Sequence, residues 1–169
     1  MDIYIIKIVS ADEVHKEILK EFQKKEFTDE DAWNRHCLSY LMVDRILREV
    51  YSIENREIIF DNKKPKLVSG KKMFSISHSK EYIALAFSDS NCGIDIEKNS
   101  PRDFKKISER MNFNANSEEE FYRLWTRYEA GFKLGENIES EKTFLFEDYT
   151  ITAVSSNLVE KLEIFVQNN

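Results

Sequence analysis

The chain has 169 residues, 41% of them hydrophobic, which suits one compact domain or two small lobes sharing a core. Only 4 Gly and 2 Pro exclude a loop-dominated chain, and a net charge of −6 argues against general nucleic-acid binding. The 25 Lys and Arg residues still leave room for a local basic pocket.

Residues 3–9 are rich in Ile and Val and read as a strand buried on both faces. The opening segment is short and carries Asp2 and Lys7, and no stretch approaches membrane-spanning length. No membrane role and a cytoplasmic location are therefore expected. Val14, Ile18, Leu19 and Phe22 are spaced for a helix over 11–27. Thr28 then caps a second helix over about 29–50, with Asp31 in the capping-box position. A short strand at 57–60 precedes DNKKPKLVSGKK, a basic, turn-rich connection carrying Lys63, Lys64, Lys66, Lys71 and Lys72.

Strands at 73–76 and 82–88 follow, joined through SHSKE. In NCGIDIEK, Ile94 and Ile96 alternate with Asp95 and Glu97. Asn99-Ser100-Pro101 breaks the chain, with Pro101 suited to a first helical turn, and divides it into lobes 1–98 and 99–169. A helix is expected over 103–111, and Ser117 with Glu120 opens another that ends near Gly135. Strands at 149–155 and 162–166 complete an α+β chain. Cys37 and Cys92, with no CxxC spacing, read as buried small hydrophobes in a reducing compartment.

Three segments could carry chemistry. On a strand, Asp95 and Glu97 share a face, and a hard dication would relieve their repulsion. For an isolated D-x-E a solvent-facing strand is the simpler explanation. In FYRLWTRYEAGFKLGE, Phe121, Leu124, Trp125, Tyr128 and Phe132 form one helical stripe, most simply core. Glu129 and Lys133 at its edge are spaced as an exposed i,i+4 ion pair, or to reach into a cleft. Ser77, His78, Ser79 and Lys80, with the upstream lysines, suit a phosphate site or a polar turn beside solvated lysines. His15, His36 and His78 are too scattered for zinc, and neither a Walker A loop nor GxGxxG is present.

In this order, FSISHS, GIDIEK and FYRLWTRYEAGFKLGE resemble the Sfp-type 4′-phosphopantetheinyl transferases, most firmly over residues 56–135. The resemblance implies transfer of the phosphopantetheine arm of coenzyme A to a serine of a carrier protein, releasing 3′,5′-ADP. It implies Mg²⁺ held by Asp95, Glu97 and Glu129. His78 and Ser77 would meet the 3′-phosphate region, Lys64 and Arg35 further phosphates, and Lys133 the pyrophosphate. Glu129 or a metal-held water would accept the serine proton. The implied fold is a pseudo-dimer of two similar α+β lobes acting as a monomer, the second lobe shortened. Fatty-acid, polyketide and non-ribosomal peptide carriers all fit as partners.

One departure stands out: Tyr128 occupies the family's Lys position before the catalytic Glu. If Tyr128 packs inward the change is tolerated; otherwise activity is lowered or redirected. Competing readings are a non-catalytic coenzyme A or carrier-binding module, the small trimeric holo-carrier-protein synthases, and a Mg-dependent phosphodiesterase built on Asp95, Glu97 and His78.

Overall fold

A computed structural model describes residues 1–8, 30–61 and 64–167. In chain order the elements are β1 (Asp2–Lys7), α1 (Glu30–Glu49), β2 (Ile58–Asp61), β3 (Lys64–Leu67), β4 (Met73–Ser79), β5 (Tyr82–Ser88), β6 (Cys92–Lys98), α2 (Phe104–Met111), α3 (Glu118–Leu134), β7 (Ser140–Phe146), β8 (Tyr149–Ser155) and β9 (Glu163–Gln167). The expected mixed α+β class is observed. The helix expected over 11–27 and its successor's Thr28 cap lie outside the described residues.

Because Ile3, Tyr4, Ile5 and Ile6 are all buried, β1 needs cover on both faces. Tyr4 and Ile6 join Val43, Ile46 and Leu47 of α1 in one core, while Ile3 and Ile5 meet Ile94, Ile96 and Ile151 in another. The first sheet runs β4-β5-β1-β9, the second β6-β8-β7, and β2 pairs with β3 separately. The first sheet is thus a central layer between α1 and the second sheet.

Both halves share an order. An opening strand, β1 or β6, is followed by helix and then by a hairpin, β4–β5 or β7–β8. In each case the opening strand pairs antiparallel with the second hairpin strand. Two strands cross the expected 98/99 division, since β6 joins the sheet of β7 and β8, and β9 lies parallel to β1.

Several local expectations change. The basic connection contains a strand, β3, with Pro65 opposite Phe60. Proline is tolerated there because a two-stranded sheet has only edge strands. Pro101 is not in a first helical turn: α2 starts at Phe104, and the Asp103 carboxylate caps it by accepting from the Lys106 amide. Strand β7 was unforeseen, its opening Ser-Glu-Lys being too polar to suggest one. For α3 the Ser117 cap holds, and Gly135 ends the helix at φ 72°. The Glu120 carboxylate, however, accepts from the Asn116 amide at 2.8 Å rather than from that of Ser117.

The aromatic stripe expected for α3 is buried at Phe121 and partly buried at Leu124 and Trp125, but leaves the core at Tyr128 and Phe132. Phe121, Tyr122, Thr126, Ala130 and Leu134 are buried, whereas Tyr128 is 47% exposed and Phe132 78% exposed. Close approach is the reason. A Cβ at Gly93 would lie 2.1 Å from the Ala130 carbonyl oxygen, so helix and strand touch backbone to backbone. Only small side chains fit near such a contact. Thr126 Oγ1 meets Thr152 Oγ1 at 2.7 Å, and Thr152 meets Thr143 at 2.8 Å, tying α3 to β8 and β7.

Two outcomes follow from this packing. Gly93→Ala should displace α3 and cost about 1–3 kcal/mol, the range for overpacking, measured by urea unfolding. Both cysteines are free and buried, their thiols pushed up to about 11 for Cys37 and about 12 for Cys92 by desolvation. A thiol-reactive dye at pH 8 should label neither thiol in folded protein and both in denaturant, read by absorbance.

Candidate active site

The second sheet meets the first through side chains. On β4, Ser75, Ser77 and Ser79 share one face by strand alternation. Their hydroxyls accept the amides of Ile94, Ile96 and Lys98 at 3.2, 3.4 and 3.1 Å. Ile94 and Ile96 enter the core, which sends Asp95 and Glu97 to the other face of β6.

Asp95 is only 7% exposed, and its Oδ1 accepts from Ser77 Oγ and Lys133 Nζ, both at 2.8 Å. Burial raises its pKa; Lys133 and Ser77 oppose that rise. Lys133 also donates to the Ile94 carbonyl at 3.0 Å. It therefore turns to β6 and makes no ion pair with Glu129 among the described residues, contrary to the surface pair that helical spacing suggests. Glu97 accepts from Arg102 at 2.9 Å and Ser79 at 3.3 Å. The Glu129 carboxyl is held above its ordinary range by burial first, then by the negative charges of Asp95 and Glu97, with Lys133 opposing.

Beside these groups opens a cavity of about 830 Å³, lined by Lys64, Ser77, His78, Lys133 and others from α1, β3, β4 and the end of α3. Although His78 is exposed at the cavity rim, desolvation by the surrounding protein lowers its pKa, as do the charges of Arg35 and Lys133. The Lys64 ammonium reaches Asn91 at 2.8 Å and the Leu134 carbonyl at 3.1 Å, and burial depresses its pKa. Lys66 pairs with Asp61 at 2.7 Å.

Of the expected residues, Lys64, Ser77, His78 and Lys133 thus line one cavity, and Asp95 is bonded to two of them. Glu129 and Arg35 join through their electrostatic fields, and Glu97 lies two residues along β6. Among the described residues no three His, Cys, Asp or Glu side chains are gathered as a metal-holding group. The carboxylate oxygens of Asp95, Glu97 and Glu129 are the donors a hard dication takes, and it would relieve the repulsion that Glu129 feels from Asp95 and Glu97.

Comparison with known proteins agrees with the motif order. The 4′-phosphopantetheinyl transferase psf-1 of Bacillus pumilus is 31% identical over 116 residues, covering 59% of this chain and 49% of the relative. The 4′-phosphopantetheinyl transferase gsp of Aneurinibacillus migulanus is 34% identical over 116 residues, covering 61% and 48%. The chain is similar to 4′-phosphopantetheinyl transferases. It spans about half the length of these curated relatives. No protein-family model matches it.

Sequence reasoning missed Arg102, whose guanidinium pairs with Glu97 and lies 5.0 Å from the Tyr122 ring centre. Nothing in the spacing marks it. It also missed the alternation Ser75-x-Ser77-x-Ser79, which has the same period of two as Ile94 and Ile96 and was open to view. Tyr128 does not pack inward; its ring meets Phe113 edge-on at 5.9 Å.

Lys133→Met leaves the Asp95 carboxylate buried without its cation. The expected loss is roughly 2–3 kcal/mol at pH 7, below the full buried-pair range because Lys133 is partly exposed. In the variant, Asp95 has a folded pKa above its unfolded value, so its protonated form favours the fold and stability falls as pH rises. Urea unfolding should therefore show a smaller deficit at pH 4 than at pH 7.

Proposed function

We propose that the chain transfers the 4′-phosphopantetheine arm of coenzyme A to a serine of an apo acyl, polyketide or peptidyl carrier protein, releasing 3′,5′-ADP. One observation carries the reading. In a chain similar to two 4′-phosphopantetheinyl transferases, Lys133 of α3 donates to Asp95 of β6 beside a cavity edged by Ser77 and His78. Three segments that look ordinary apart meet at that point.

The cavity is of small-molecule size, and Lys64, His78 and Lys133 give its wall the polarity a phosphorylated ligand needs. In this reading Lys133 meets the pyrophosphate, His78 and Ser77 the 3′-phosphate region, and Lys64 and Arg35 further phosphate oxygens. Asp95, Glu97 and Glu129 hold Mg²⁺, which when bound neutralises charge on the pyrophosphate. The base in this reading is Glu129 or a metal-held water. It takes the proton of the carrier serine as the serine oxygen bonds to the β-phosphorus. The bond from that phosphorus to the bridging oxygen breaks, and 3′,5′-ADP leaves with the electron pair.

The fold in this reading is a pseudo-dimer of lobes 1–98 and 99–169, the second shorter, working as a monomer. The repeated strand–helix–hairpin order supports two similar units, with β6 opening the second and so falling before the 98/99 division. One observation favours a second reading, a non-catalytic coenzyme A or carrier-binding module: Tyr128 replaces a cationic position and points largely to solvent.

Mass spectrometry of several apo carriers incubated with protein, Mg²⁺ and coenzyme A separates the two. A phosphopantetheine adduct on at least one carrier is expected, and it should vanish in Asp95→Ala, in Glu129→Ala and when Mg²⁺ is chelated. Coenzyme A bound without any adduct supports the binding module, and release of phosphopantetheine without a carrier supports a phosphodiesterase.

A further inference from the structure

We infer that Ser77 and Ser79 are positioning residues that aim the carboxylates of Asp95 and Glu97; the metal-binding part of this inference rests on the function proposed above. Each hydroxyl plays two parts. Ser77 Oγ accepts the amide of Ile96 at 3.4 Å and donates to Asp95 Oδ1 at 2.8 Å. Ser79 Oγ accepts the amide of Lys98 at 3.1 Å and donates to Glu97 Oε2 at 3.3 Å. In both cases the amide belongs to the residue that follows the carboxylate. A hydroxyl has one proton to give, so its direction is fixed once the amide occupies a lone pair.

The third serine supplies a built-in control. Ser75 Oγ accepts the Ile94 amide at 3.2 Å, in register with the others. The residue preceding Ile94 is Gly93, which has no carboxylate to receive the proton. Ser75 therefore joins the sheets without aiming anything, whereas Ser77 and Ser79 do both. Removing any of the three hydroxyls strips β6 of one edge bond. Only two of the removals also take a hydrogen bond from a carboxylate, leaving Asp95 to Lys133 alone and Glu97 to Arg102 alone.

This separates a positioning role from a merely structural one. In Ser77→Ala and Ser79→Ala, Mn²⁺ affinity read by electron paramagnetic resonance should fall about ten-fold, the low end for losing a group that orients a metal ligand. Ser75→Ala should lower the melting temperature comparably and leave Mn²⁺ affinity unchanged. Ser79 is half-buried, so Ser79→Ala tests the inference even if the Ser77 variant fails to fold, and Ser79→Thr should restore affinity. Equal loss of affinity in Ser75→Ala and Ser79→Ala, or no loss in Ser79→Ala, overturns the inference.

Wild-type protein that binds no Mn²⁺ overturns the metal reading instead. The ¹³C carboxylate resonances of the metal-free protein at one fixed pH then decide. The Asp95 signal should move in Ser77→Ala and the Glu97 signal in Ser79→Ala, with both still in Ser75→Ala. Unmoved signals in the first two variants overturn the inference.

Discussion

Strand β6 is an edge strand whose outward amides have no strand to bond. An unpaired edge is a liability, and buried amides left without partners are costly. Here the missing partner is a row of serine hydroxyls on β4, at the same two-residue period as the amides they receive. Because hydroxyls stand in for a backbone, the two sheets abut without merging. That arrangement leaves Ile94 and Ile96 in the core and brings Asp95 and Glu97 under the hands of β4.

Helix α3 answers to the same strand from the other side. Gly93 lets the helix backbone descend to contact, and this descent decides which residues of α3 are buried. With the Thr126, Ala130 and Leu134 face against the sheets, Lys133 lies at the margin, close enough to reach Asp95 and the Ile94 carbonyl. A bulky buried stripe would have held the helix away and left the ammonium short of its partner. The exposed Tyr128 and Phe132 are the other side of that exchange.

Much of this was legible in the sequence, and the failures have a common cause. Strand β1, strand β8 and the Ser117 and Gly135 caps follow from local pattern, because runs of β-branched residues and capping chemistry act within a few residues. The placing of Ser77, Asp95 and Lys133 together came from the order of three motifs. The Tyr128 and Phe132 end of the α3 stripe, the Lys133 partner and strand β7 were misread because each depends on a distant residue: Gly93 for the first two and β8 for the third. Arg102 is the extreme case, since its meaning lies entirely in where Glu97 sits.

Strand β9 has a consequence of its own. It lies parallel to β1, and the Met1 amino group donates to the Lys161 carbonyl at 2.7 Å, so the first sheet is completed by chain some 160 residues downstream. Strand β6 instead opens the later sheet and pairs with β8. The first sheet therefore cannot close until β9 has been made. Closing such distant pairs costs loop entropy before any contact repays it, which places this topology among slow folders. During that wait the backbone edge of β1 that β9 pairs with stays open, and an unpaired strand edge is a template for aggregation.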